Sequence, residues 1–404
     1  MDSLAKKPDI SQNKCPPGRK NDPINTDRPN TGRVIKIELT NDGQFVDRCQ
    51  LTDALDELIS KQTMETQPFG PNWRQGALEL PRLTVLYVHG WKNDANSEDL
   101  EYFKKLIEAL TDIHKSKKQV VGIYIAWNAA WHLGVIDDLS FWSKENVADR
   151  IAESGTVTKI VSAIGALRHT TLDPADQFIA IGHSFGARLL FGATSQALIY
   201  ETEKAHPGQP GGIYKITKSP ADAIILLNPA FEASIYAALD DVTRTDESFG
   251  SDQPPLLVSL SSESDWATTY AFPSGQLIGG RSGPLEQTTL GNWEPFQSHV
   301  LRDASTEDLC RAGLGSGKPA PSISERFEWK GMCLVRRSEN DRCPDPKNDR
   351  CRHSQPYNPF LIAKVQSTII DGHSDIWNEH FRDWLTHFIA ALEVRHEQTI
   401  GTTR

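Results

Sequence analysis

The chain has 404 residues, long enough for one large domain or two ordinary ones. Hydrophobic residues make up 38% and charged residues 24%, which is the composition of a globular protein and not of a collagen, a coiled coil or a disordered chain. Lys plus Arg number 43 against 53 Asp plus Glu, a formal charge of −10, and the basic residues form no long block. A nucleic-acid or anionic-membrane surface is therefore disfavoured, and the expected partner is a small, mostly neutral molecule. No run of about 18 apolar residues occurs, so no membrane-spanning helix is expected.

Residues 1–33 carry Pro8, Pro16, Pro17, Pro23 and Pro29 and little that enters a core, so they read as a flexible arm. Met1 to Lys7 lacks the apolar core of a signal peptide, which favours the cytoplasm; a chain whose leader had been replaced by a start Met reads the same. Val34-Ile35-Lys36-Ile37-Glu38-Leu39 alternates apolar and polar side chains. With Asn41-Asp42-Gly43, Phe45 and Val46 it predicts a hairpin. Short continuous apolar runs follow, at 83–88, 120–126, 178–181, 223–227, 256–260 and 361–365, separated by helical stretches. Strands buried on both faces by helices read this way, so the fold class is α/β with a mostly parallel sheet of eight strands.

Between the first two runs, Asn96 and Ser97 are placed to cap a helix reaching about Ile113, with Asp99 in its first turn. Near the end, Trp377, Phe381, Trp384, Leu385, Phe388, Ile389 and Leu392 form one apolar helical stripe. Residues 34–396 read as a single domain and 397–404 as a tail. Two stretches break the alternation, about 128–150 and about 266–360, and read as insertions, the second as a cap or subdomain. Cys310, Cys333, Cys343 and Cys351 crowd into that second stretch, far from Cys15 and Cys49. Disulfides there would imply an oxidising compartment, free thiols would not, and a zinc site with His353 is a third reading that the wide Cys spacings disfavour.

Gly182-His183-Ser184-Phe185-Gly186 is a G-x-S-x-G pentapeptide. It follows the run Phe178 to Ile181 directly and opens a helical stretch from Ala187, the context that a nucleophile on a strained strand-to-helix turn requires. The run ending at Val88 leads into His89-Gly90-Trp91-Lys92-Asn93. There the N–H of Trp91, with that of Phe185, would face a developing oxyanion.

On these motifs the sequence resembles the α/β-hydrolase superfamily, in its serine esterase and lipase branch. Leu-Asn-Pro-Ala-Phe-Glu-Ala at 227–233 and Asp-Gly-His-Ser-Asp-Ile-Trp at 371–377 are similar to a little-characterised microbial group within it. The resemblance implies a Ser–acid–His order, no cofactor and no metal. Ser184 is then the nucleophile and His373, in the loop before the last helix, the base; His380 falls within that helix. The acid follows the run 256–260, where Asp265 is favoured over Glu263, with Glu232 a more distant candidate. Trp127, Phe231 and Trp266 each follow a strand and are expected, with Trp91, to frame an apolar cleft.

The implied activity is hydrolysis of carboxylic esters through an acyl-enzyme. Amide or peptide cleavage on the same triad, and a non-catalytic binding protein on the same fold, are the alternatives. The cap stretch holds no long amphipathic helix of the kind that settles on lipid. Dissolved esters with apolar acyl or aromatic groups are thus expected as substrates, without stable membrane insertion. No feature sets an oligomeric state.

Overall fold

The computed structural model describes residues 15, 32–59, 63–65, 77–90, 93–115, 117–128, 137–170, 175–206, 208, 211–244, 248–273, 283–304, 322–337 and 355–401. Its centre is a ten-stranded sheet. In chain order the strands are β1 (Arg33–Leu39), β2 (Arg82–Val88), β3 (Gln119–Trp127), β4 (Gln177–His183), β5 (Ala223–Leu227), β6 (Leu257–Ser262), β7 (His299–Asp303), β8 (Arg326–Trp329), β9 (Met332–Arg336) and β10 (Phe360–Val365). Their spatial order is β1-β3-β2-β4-β5-β6-β10-β7-β9-β8. All neighbours run parallel except β9, which is antiparallel to both β7 and β8.

The central strands are buried on both faces because helices cover both. Along β2, Leu83, Val85 and Tyr87 enter one apolar layer and Leu86 and Val88 the other, as the two-residue period of a strand demands. The first layer is completed by α2 (Glu98–His114) and α7 (Glu379–Gly401). The second takes α1 (Cys49–Ile59), α3 (Asp137–Glu153), α4 (Thr156–Thr170), α5 (Phe185–Lys204) and α6 (Ala233–Asp241). All seven residues of the expected C-terminal stripe are buried, with Trp377 in a one-turn 3₁₀ helix (Asp375–Trp377) just ahead of α7. Ser97 occupies the N-cap position of α2, but its hydroxyl donates to the Asp94 carbonyl instead of capping the helix.

Two expectations on the sheet need correction. The chain does turn back after β1, with the Thr40 N–H on the Gln44 carbonyl and the Val46 N–H on the Glu38 carbonyl (both 2.8 Å), but Phe45 forms just a bridge to Leu39 and no second strand follows; β1 joins the sheet parallel to β3, Arg33 opposite Val121 and Leu39 opposite Trp127. The sheet also has ten strands, not eight, because β7, β8 and β9 arise within 266–360 and extend the sheet beyond β10. β7 and β8 are short and mixed in polarity, and the apolar run Met332 to Val335 of β9 is only four residues long.

Cys15 and Cys49 form a disulfide, and Cys333 is disulfide-bonded as well. Cys310, Cys343, Cys351 and His353 lie outside the described residues, as does the arm apart from Cys15 and Gly32 onward. Among the described residues no group of His, Cys, Asp and Glu is arranged to hold a metal, and no helix is long and apolar enough to cross a membrane.

Candidate active site

The chain leaves β2 toward one face, through α2, and leaves β4 toward the other, through α5. The carboxyl ends of β2 and β4 are neighbours, so a crevice opens between them, the usual ligand position in an open α/β sheet. Ser184 stands at that point, between β4 and α5, with φ 55° and ψ −122°. Non-glycine residues seldom adopt this conformation, and hydrogen bonds at both ends of the residue hold it: its N–H donates to the Leu227 carbonyl (3.0 Å) and its carbonyl accepts from the Ala230 N–H (3.2 Å).

The glycines of the pentapeptide are required by contact. A Cβ on Gly186 would lie 2.1 Å from the Val88 carbonyl oxygen, and one on Gly182 would lie 2.7 Å from the Ala187 Cα. Gly90 belongs to the same fit, since a Cβ there would fall 2.7 Å from the Ser184 Cβ. The end of β2 is thereby pressed directly against the turn that carries Ser184.

His373 joins this point from the loop between β10 and α7. Its Nε2 lies 2.7 Å from the Ser184 Oγ, and its Nδ1 lies 2.8 Å from Asp265 Oδ2. With the Nδ1 proton donated to the carboxylate, Nε2 is left as an acceptor for the serine hydroxyl. Asp265 is fully buried, and its Oδ1 accepts the Thr268 N–H at 3.2 Å. Burial acts to raise its pKa, but the charge and hydrogen bond of His373 and the donors of Thr268 outweigh it, so the carboxyl is held below its ordinary value.

The two other acids point elsewhere. Glu263 pairs with Arg302 (2.5 Å), and buried Glu232 accepts from Arg188 Nη1 (2.7 Å). Of the residues expected from sequence, then, Ser184, Asp265 and His373 are brought together. Phe185 follows directly as the first residue of α5. Trp91 lies outside the described residues, beside Gly90.

Two of the aromatics expected to frame a cleft are buried. Trp127 is buried and lies parallel to the His89 ring, centroids 5.7 Å apart, with its indole N–H donating to the His89 carbonyl (3.0 Å). His89 accepts the Trp127 main-chain N–H at Nε2 (3.0 Å) and donates from Nδ1 to the Gly90 carbonyl (2.8 Å), and burial lowers its pKa to about 4. The pair therefore buttresses the end of β2, while Trp127 also borders a cavity lined by Leu39, Val46, Ala95 and Asn128. Phe231 is likewise buried, stacked on Phe191 at 5.1 Å. Trp266 differs: it follows the acid directly and is 58% exposed, as is Tyr270 one turn on, at 63%.

No family model matches the chain, and no curated protein matches it. Two solved structures are similar in part. The phospholipase PlaB from Legionella pneumophila, in complex with thio-NAD, is 12% identical over 63% of this chain and 49% of its own, with a TM-score of 0.26. A protein described as a YdeN-like hydrolase, from Pectobacterium atrosepticum, is 16% identical over 50% of this chain and 72% of its own, with a TM-score of 0.18. The chain thus spans about half the length of the phospholipase. At these scores neither likeness bears on fold or chemistry, and the α/β class rests on the sheet itself.

Two residues that the sequence did not single out also meet the base loop. They are His183, inside the pentapeptide, and Asn228, at the end of β5. Both touch main-chain carbonyls, a kind of contact with no pattern of its own in a sequence.

Proposed function

We propose that the chain is an α/β-hydrolase that cleaves carboxylic esters through an acyl-enzyme. The observation that carries this reading is the unbroken hydrogen-bonded line from Asp265 through His373 to Ser184, at 2.8 and 2.7 Å, ending on a left-handed residue at a strand-to-helix turn. Ser184 Oγ attacks the ester carbonyl while its proton passes to His373 Nε2, and the imidazolium so formed faces the Asp265 carboxylate. The N–H groups of Phe185 and Trp91 receive the oxyanion, each worth about 3 kcal/mol of transition-state stabilisation in sites of this kind. The alkoxide leaves with the proton from Nε2. Water, deprotonated by the same nitrogen, then attacks the acyl-serine and releases the acid. The reaction needs no cofactor.

The substrates expected are dissolved esters with apolar acyl or aromatic groups, for which the exposed ring of Trp266 beside the acid is suited. Their turnover should saturate with concentration and show no jump at the solubility limit. A fluorophosphonate probe and p-nitrophenyl esters test the chemistry. The wild type should take one label and turn over. Ser184→Ala should fold as the wild type does, take no label and lose about four or more orders of magnitude in kcat. A wild type that takes no label, or a label that survives Ser184→Ala, rejects the reading.

A further inference from the structure

We propose that His183 and Asn228 are positioning residues that hold the general base by its own backbone carbonyl, an inference that rests on the Ser184–His373–Asp265 reading. The His373 carbonyl oxygen accepts twice, from His183 Nε2 (3.0 Å) and from Asn228 Nδ2 (2.9 Å). The same Asn228 amide reaches the Gly372 carbonyl at 3.1 Å, where the loop turns with φ 87°. At its other end Asn228 Oδ1 accepts the Ser262 N–H (2.8 Å), three residues before Asp265. One amide therefore ties the acid strand to the base loop, and one imidazole ties the residue before the nucleophile to that loop. All three arms of the triad are referenced to a single oxygen atom.

The chemistry of the two side chains suits the task. A carbonyl only accepts, so His183 must carry its proton on Nε2. Burial pushes its pKa to about 3, which keeps the neutral, donating tautomer across any working pH. Its other nitrogen, buried and with no hydrogen-bond partner, lies on the Gly90 side, where a Cβ would come within 2.8 Å of it. Asn228 is fully buried and has φ 42°, a left-handed conformation that Asn tolerates better than most residues, and its own N–H donates to the Leu260 carbonyl (2.8 Å). Only an amide offers an acceptor to Ser262 and donors to Gly372 and His373 at once. Elsewhere the loop is held by its stem, through Ser262 Oγ on the Ile370 carbonyl (2.6 Å) and the Gly372 N–H on Ser264 Oγ (2.8 Å). His183 and Asn228 act on the base residue itself, where a displacement of about 1 Å is enough to cost on the order of 100-fold in rate.

Four variants of the full chain test the clamp, read by p-nitrophenyl ester kinetics and by the rate of fluorophosphonate labelling. Asn228→Asp keeps the acceptor for Ser262 and sets a carboxylate against the two carbonyls. His183→Leu removes the donor, and His183→Gln returns an N–H near the same place. Asn228→Asp and His183→Leu should each lower kcat by about 30- to 100-fold with KM changed by less than about threefold, and His183→Gln should recover most of the loss relative to His183→Leu. In a His373→Ala background, adding Asn228→Asp or His183→Leu should change the residual rate by less than about threefold, because the clamp acts through the base alone. Full additivity in that background overturns the proposal, as does a folded Asn228→Asp or His183→Leu with wild-type kcat. Should Asn228→Asp fail to fold, the His183 pair decides. A wild type that takes no label sinks the underlying reading instead, so the two failures are told apart.

Discussion

Glu263 and Asp265 lie two positions apart in one loop, and their surroundings divide them. Glu263 is partly exposed and spends its charge on Arg302, whereas Asp265 is buried, hydrogen-bonded to His373 and Thr268, and held ionised. Asp265→Asn should therefore lower kcat for a p-nitrophenyl ester by about three to four orders of magnitude by upsetting the His373 tautomer, and Glu263→Gln should change it by less than about threefold. The reverse ranking would move the orienting acid to Glu263. These candidates were legible in the sequence because nucleophile, acid and base each follow a recognisable strand, where the sheet presents its loops. The fates of Trp127 and Phe231 were not. An aromatic at a strand end fits a cleft wall and a core equally well, and the stacking of Trp127 on His89 and of Phe231 on Phe191 leaves no pattern in the sequence.

Between elements, the base loop is joined to α2 by a buried carboxyl. Asp99, in the first turn of α2, accepts from Trp377 Nε1 (2.7 Å), Tyr87 Oη (3.1 Å) and Tyr124 Oη (3.2 Å), joining β2, β3 and the turn that follows His373. Burial raises its pKa from 3.8 to about 6, although the three donors act to lower it. The folded state thus keeps a proton that the unfolded chain releases. The contribution of Asp99 to stability therefore falls as pH rises from about 4 to about 6, by on the order of 3 kcal/mol, and stays lower above. Asn fits the same donors: Oδ1 takes Trp377 and Tyr87, and Nδ2 donates to the Tyr124 hydroxyl, which can still reach the Asp94 carbonyl (3.3 Å). Urea unfolding at several pH values should find Asp99→Asn no more stable than wild type near pH 4 and clearly more stable at pH 7 to 8. An equal difference at both ends would refute the account. The central strands and both long helices of the Asp99 layer were readable from apolar runs and stripes, because burial on two faces leaves a strong pattern. β1 and the tight turn after it were legible from the alternating run and Asn-Asp-Gly, but the short return past Phe45 and the parallel partner β3 were not, because pairing leaves no mark within the run itself.

Across the whole molecule, the Cys15–Cys49 disulfide closes a separation of 34 residues and fastens the N-terminal arm to the start of α1. By the loop-entropy estimate it stabilises the fold by about 3 to 4 kcal/mol. Cys15→Ser combined with Cys49→Ser should lower the free energy of unfolding by that amount, read as a lower urea midpoint; an unmoved midpoint would show that the crosslink contributes nothing. Such bonds persist where the surroundings oxidise, so full stability is expected only there. Bonded Cys333 accords with the disulfide reading of the late cysteines.

Among the described residues β8 ends the sheet, and its build governs how separate molecules meet. It is four residues long, carries an Arg326–Glu328 ion pair (2.7 Å) and gives way at once to a left-handed Lys330-Gly331 turn. Its last residue is turned into α7, where the Trp329 ring stacks on His387 and its N–H donates to Asp383 (2.8 Å). A strand so short and so charged gives an approaching backbone little to continue, which guards a concentrated solution against edge-to-edge growth. Replacing Arg326 and Glu328 together by Val should leave ester turnover near the wild-type rate in dilute solution. The same variant should scatter light and bind thioflavin at concentrations where the natural chain stays clear, so that a side remote from the crevice sets how much protein a given volume can hold.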